Sequence, residues 1–146
     1  MEYSEKDMVL KFNSAYRELN DLYHDIALKL GISDSAFTIF YAIFRIGDGC
    51  LQRDICKQSY TNKQTINSTI QRLKEDGYLY LEQGKGRDKH IYLTDSGTEF
   101  MREKIGPMVV AEDEAFLALS IEEQEQFYSV FSKYVTSFRK KVEELP

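Results

Sequence analysis

The chain has no tryptophan, and among its 146 residues there are only two prolines, two cysteines and two histidines. Each shortage closes a route. Cys50 and Cys56 are too few for a disulfide scaffold, and a cytosolic chain keeps them reduced. With only His24 and His90 beside them, the ligand spacing of a zinc site is missing, so neither a metal nor a cofactor is expected. No apolar run approaches the roughly 18 residues of a membrane span. The opening MEYSEKDM is charged and lacks the apolar stretch of a signal peptide, so a cytoplasmic location without membrane attachment is expected. No Ser/His/Asp set, phosphate loop or metal cluster is visible, and no catalytic residue is assigned. Internal repeats, low-complexity tracts and Gly/Ser linkers are also missing, which makes one domain over residues 1–146 the expectation.

What is present is ordinary in amount and uneven in placement. Apolar residues make up 42% and charged residues 29% of the chain, the proportions of a globular protein. The net charge is −5, which by itself speaks against nucleic acid. Yet from Leu51 to Thr94 eight Lys and Arg face five Asp and Glu, a net of +3, leaving −8 for the rest. A mildly basic middle between acidic ends needs an explanation.

Periodicity supplies the elements. Phe12, Ala15, Tyr16, Leu19, Leu22, Tyr23, Ile26, Ala27 and Leu30 recur at three-to-four spacing, a helix over about 4–30 that Gly31 ends. A second helix runs from about Ser33 to Ile46, capped by Ser33 or Asp34. Phe37, Phe40, Tyr41 and Phe44 make it apolar over much of its circumference and predict its burial. A short helix at about 52–58 turns Leu51 and Ile55 inward and Arg53 and Lys57 outward. Thr61 and Gln64 form a Thr-x-x-Gln capping box for a helix that starts near Asn62, buries Ile66, Ile70 and Leu73, and ends at Gly77. YLYLEQ and HIYLT then read as the two strands of a hairpin around the polar turn GKGRDK. A helix over Asp95 to about Leu119 carries an interruption at Gly106-Pro107. Ser120 and Glu123 box the last helix, Ile121 to about Glu144.

Helix, tight turn, helix and hairpin is the layout of a winged helix-turn-helix, in which the second helix enters the major groove. Stepping about 100° per residue from Ile66 puts Gln64, Ser68 and Gln71 on the opposite face, with Thr65 and Asn67 flanking and Arg72 at one edge. Amides and hydroxyls can both donate to and accept from base edges and Arg donates, preferring guanine, whereas carboxylates, confined to Glu75 and Asp76, would be repelled by phosphate. Lys63 precedes this face, and Lys85, Arg87 and Lys89 surround the hairpin tip. These ten residues are the expected DNA contacts. A merely solvated face is the alternative.

With those residues in view, the block from Leu51 to Gly97 resembles the core of the multiple-antibiotic-resistance regulator (MarR) family. Asp54-Ile55-Cys56 fits its acidic-aliphatic-Ala element, Thr65-Ile66 its Thr-aliphatic pair, and Leu93-Thr94 with Gly97 its Leu-Thr-x-x-Gly wing end. The wing arginine falls on Arg87. An acid is often found two residues before that arginine in the family, and here Lys85 stands in its place. Tyr60 occupies a corner where glycine is common. The resemblance implies a mainly α fold with a small β wing, an α+β class. The winged lobe spans about 33–94, with dimerisation helices at about 4–30 and 95–145. It further implies a bacterial homodimeric regulator, a repressor in most relatives, that binds a pseudo-palindrome in double-stranded DNA. Phe12, Phe127, Phe131 and Phe138 are the expected interface, because the terminal helices carry more large apolar side chains than a small domain easily buries. A crevice for a small aromatic or anionic effector, lined by Tyr16, Tyr23, His24, Phe37 and Tyr41, is also implied.

Two other readings compete. One is a redox-sensing regulator using Cys50, placed after Gly49 in a loop and expected to be accessible. Cys56 falls where the family has a small buried Ala and is better explained by packing. The other is a winged-helix protein-interaction module that does not bind DNA.

Overall fold

The computed structural model describes residues 5–146. Ser4, where the first helix was expected to begin, lies outside the described residues. The chain forms two compact units, the first ending at Met108 and the second running Val109–Pro146.

The first unit opens with α1, Glu5–Leu30. Gly31, at φ +72°, ends it, with the Gly31 and Ile32 amides returning to Leu28 and Ala27 carbonyls. This left-handed closure satisfies the last carbonyls of the helix. Then α2, Asp34–Ile46, is capped by Ser33, whose hydroxyl accepts from the Ala36 amide at 3.1 Å. Ala36, Phe37, Ile39, Phe40, Ala42 and Ile43 are buried. Its burial is less complete than expected, for Tyr41 is half-buried and Phe44 exposed. A single buried stripe, not the whole circumference, meets the neighbouring helices.

The short α3, Gln52–Ser59, and α4, Lys63–Glu75, both pack on α2. Ile55, Ile66, Ile70 and Leu73 close the core beneath them. Thr69, the one buried polar residue among those described, donates its hydroxyl to Ser35 Oγ at 2.9 Å, so its burial leaves no unmet bond. The cap of α4 differs from expectation. Asn62, not Thr61, caps it, its Oδ1 accepting from the Thr65 amide at 2.8 Å. The Thr61 hydroxyl instead donates to the Ser59 carbonyl.

The wing is a three-stranded antiparallel sheet rather than a plain hairpin. Its order is β1, β3, β2, with β1 at Cys50–Leu51, β2 at Leu79–Gln83 and β3 at Lys89–Leu93. Leu79 faces Leu93, Leu81 faces Ile91, and Cys50 pairs with Ile91 on the other edge. Two residues of β1 carry no alternation to recognise, which is why it escapes a periodicity reading. An aromatic trio of Phe40, Tyr78 and Phe100, with centroids 5.0 to 5.9 Å apart, joins the base of the wing to the core.

After the wing come α5 at Asp95–Phe100, a π-helical turn at Met101–Ile105 and α6 at Gly106–Leu117. The interruption expected at Gly106-Pro107 takes this form. The Gly106 amide reaches back to the Met101 carbonyl, and the wider turn immediately precedes a proline that has no amide to offer. The second unit ends in α7, Ile121–Glu143, whose Ser120–Glu123 capping box is complete in both directions.

Candidate nucleic-acid interface

The helix α4 is held by its apolar stripe, so its other face is free to meet a partner. Gln64, Asn67, Ser68, Gln71 and Arg72 are exposed, and Thr65 is half-buried. The Ser68 hydroxyl donates to the Gln64 carbonyl at 2.9 Å, so its oxygen is left to accept from outside. The first turn of α4 has no acidic residue. Its amide ends and helix dipole therefore offer uncompensated positive potential, which suits phosphate.

Between α4 and the wing lies a groove of about 700 Å³. Lys63 and Asn67 of α4 line it, as do Leu51, Gln52, Arg53 and Cys56 around α3. Gln83, Gly86, Arg87, Asp88 and Lys89 form the wing side. The lining thus carries four cations against one carboxylate, and that carboxylate is engaged, because Arg53 Nη1 donates to Asp88 Oδ1 at 3.2 Å. Of the ten expected DNA contacts, Lys63, Asn67, Arg87 and Lys89 share this groove. Gln64, Thr65, Ser68, Gln71 and Arg72 lie along α4 outside it, and Lys85 is exposed in the wing turn. Gln52 and Arg53 were missed as members of the site. They stand 15 and 35 residues from the side chains they hold, Asn67 and Asp88, and no local pattern could join them.

The corner before α4 is made by Tyr60 in the left-handed conformation, φ 53° and ψ 27°, with 91% of its surface exposed. An L-residue there bears a steric cost that glycine would not.

Tyr23, His24, Phe37 and Tyr41 line a second cleft of about 490 Å³ with Asn20, Asp34, Thr38, Gln58 and Ser59. The Phe37 ring stands 6.5 Å from Tyr23 and 6.1 Å from Tyr41. At its edge His24 Nδ1 bonds Asp34 at 2.9 Å, and this bond, with the Asp34 charge, raises the imidazole above its ordinary value of 6.5. Tyr16 lies outside the cleft. It is seven residues, about 10 Å of helix, before Tyr23, and stacks instead on Phe12.

Cys50 is not in an accessible loop. It sits in β1, half-buried, and burial, with Asp54 and Asp48 nearby, pushes its thiol up to about 11. A thiol protonated at neutral pH is a poor nucleophile, which weighs against the oxidant-sensing reading.

Of the four expected interface residues, Phe12 is 37% exposed on α1. The other three lie on α7, where no residue is buried. Phe127, Phe131, Tyr134 and Phe138 there form a continuous row with successive ring centroids 5.9, 6.4 and 6.2 Å apart.

Residues 30–88 match the model of the MarR family. The lobe over residues 30–88 is thus similar to the MarR family. The family is one of transcriptional regulators, and the winged helix is its DNA-binding fold. Over 136 residues the chain is 24% identical to the HTH-type transcriptional regulator YwoH of Bacillus subtilis (strain 168), covering 92% of this chain and 98% of that one. The fold is also that of the MarR family regulator NMB1585 from Neisseria meningitidis, with a TM-score of 0.78 at 14% identity, over 94% of this chain and 97% of that one. A further likeness is to MepR of S. aureus in its complex with DNA, with a TM-score of 0.68 at 21% identity, over 94% and 99%. Among the described residues, no single helix is long and apolar enough to cross a membrane.

Proposed function

We propose that the protein is a homodimeric, sequence-specific repressor that reads a pseudo-palindromic operator with α4 and flanks it with the wing. The observation that carries this reading is the groove between the two. Lys63 and Asn67 of α4 face Arg87 and Lys89 of the wing there, and the one carboxylate in the lining is tied to Arg53. Cations hold the backbone, while the amides and hydroxyls of Gln64, Asn67, Ser68 and Gln71 address base edges. Such a protein works where the DNA is, in the cytoplasm. Dimerisation accounts for the aromatic row left bare on α7 and the apolar side chains left bare on α1. It would also set two reading helices about one DNA turn apart. A small aromatic effector would stack against Tyr23, Phe37 and Tyr41 in the second cleft and bias the spacing of the reading helices.

The test is DNA selected from a random pool, followed by fluorescence anisotropy on the selected duplex. Gln64→Ala and Gln71→Ala should each weaken binding by about 1–3 kcal/mol and relax preference at one position. Arg87→Ala should weaken binding to all sequences and flatten the salt dependence. Unchanged affinity in all three variants would defeat the proposal. A dimer without DNA affinity at low salt would favour the protein-interaction module.

A further inference from the structure

Two neighbouring side chains in the first turn of α3 each reach a different DNA-facing element. Gln52 Nε2 donates to Asn67 Oδ1 on α4, and Arg53 Nη1 donates to Asp88 Oδ1 in the wing turn. We infer that Gln52 and Arg53 are positioning residues, which hold the reading helix and the wing in one fixed relation and set what Asn67 can read. The inference rests on the proposed DNA binding.

The wing turn is shaped by its own bonds. The Gly84 amide donates to the Asp88 carbonyl, the Asp88 amide to the Lys85 carbonyl, and Gln83 Nε2 to the Gly86 carbonyl at 2.7 Å. These fix the form of the turn but not its distance from α4. Arg53 supplies that distance by gripping Asp88, the residue after Arg87. The acid often found two residues before the wing arginine is replaced here by Lys85, so Arg87 has no acidic partner at that place. Its backbone neighbour is anchored instead. The same pairing keeps the Asp88 carboxylate from facing incoming phosphate.

Gln52 acts on readout. Bidentate recognition of adenine by Asn needs the amide oxygen to accept from N6 while the nitrogen donates to N7. Asn67 is exposed, and its Oδ1 already accepts from Gln52, which occupies one of the two lone pairs of that oxygen while Nδ2 stays a donor. A donor suits acceptor edges, guanine O6 and N7 or thymine O4. By fixing Oδ1, Gln52 thus biases Asn67 away from the bidentate adenine geometry and toward acceptor edges.

The experiment compares selected DNA for the native chain, Gln52→Ala, Arg53→Ala and the swapped pair Arg53→Asp/Asp88→Arg, together with hydrogen exchange of the wing amides in the free protein. All the substituted positions are exposed or half-buried, and unchanged melting confirms folding. Gln52→Ala should move preference toward adenine at one symmetry-related position and leave the others alone. Identical preferences would overturn the role of Gln52. Arg53→Ala should weaken binding about two- to fivefold, the scale of an exposed ion pair, and speed exchange over residues 84–88. The swapped pair should restore both. If the swap restores neither, Arg53 is a phosphate contact and not a positioning residue. If the native chain selects no DNA, the proposed function fails, and exchange in the free protein still decides whether Arg53 holds the wing.

Discussion

Gly97 lies where the wing meets α5, and replacing it with alanine offers a sharp test of how that junction is held. A Cβ at Gly97 would stand 2.1 Å from the Tyr78 carbonyl oxygen, far inside contact distance, and 3.4 Å from Leu93 Cδ2. The Tyr78 oxygen cannot yield freely, because it accepts from the Thr94 amide at 3.0 Å. The Thr94 hydroxyl in turn donates to the Gly77 carbonyl at 2.6 Å and accepts from the Gly97 amide at 3.0 Å. Overpacking costs about 1–3 kcal/mol, and losing one or two of these bonds adds about 0.5–1.5 kcal/mol each. Alanine's better helix propensity returns about 0.5–1 kcal/mol. The net expectation is a loss of roughly 2–4 kcal/mol. At a urea slope of about 1–3 kcal/mol per molar, the unfolding midpoint should fall by about 0.7–4 M, at fixed protein concentration. Gly106→Ala is the internal control. Its Cβ would meet Met101 O at 3.3 Å, a tight contact that a shift of tenths of an ångström relieves, and Phe44 Cε2 at an ordinary 3.6 Å, so the loss should be much smaller than at Gly97. If Gly97→Ala proves as stable as Gly106→Ala, the account of the junction is wrong.

Other outcomes are expected. The NMR titration of His24 should show a midpoint above 6.5 that Asp34→Asn lowers, because the raised value comes from Asp34. The stabilising part of that pair is complete below the unfolded value and disappears as pH rises through the folded one. Cys50 should react slowly with iodoacetamide at pH 7. Since its folded value of about 11 exceeds the ordinary 9.0, the neutral thiol is favoured by folding, and stability should decline between those two pH values. The native chain should be a dimer by light scattering, and Phe127→Glu with Phe138→Glu, at positions 56% and 60% exposed, should leave a folded monomer. A native chain that is already monomeric at tens of micromolar would refute the proposed interface.

The element order was legible because the helices bury one stripe and announce their ends. Ser33, Ser120 and Gly31 behave as their residue types require. Ile66, Ile70 and Leu73 are buried as their spacing demands, and this alone turns Gln64, Ser68 and Gln71 outward. The failures share a different cause. Thr61 and Asn62 are both good caps one residue apart, and local pattern cannot choose between them. The strand β1 is two residues long and is defined by its partner. Arg53 reads as a solvated outward base until the wing turn is brought to it, and Asp88 reads as part of a charged tip until Arg53 arrives. Cys50 looks accessible beside two glycines, yet pairing with Ile91 half-buries it. Legibility ended where a residue's state depends on a partner far along the chain.

The left-handed Tyr60 has a consequence for how the molecule could be strengthened. Its conformation costs about 1–2 kcal/mol relative to glycine, and with 91% of its surface in solvent its ring contributes little packing in return. Most routes to a firmer protein disturb a core or a working face. At this corner, a single glycine would relax the backbone that leads into α4 while leaving every buried side chain and every exposed amide of that helix as it was. The corner between α3 and α4 is thus a point where the fold falls short of its own stability optimum, and tolerance for further change in α4 could be gained there.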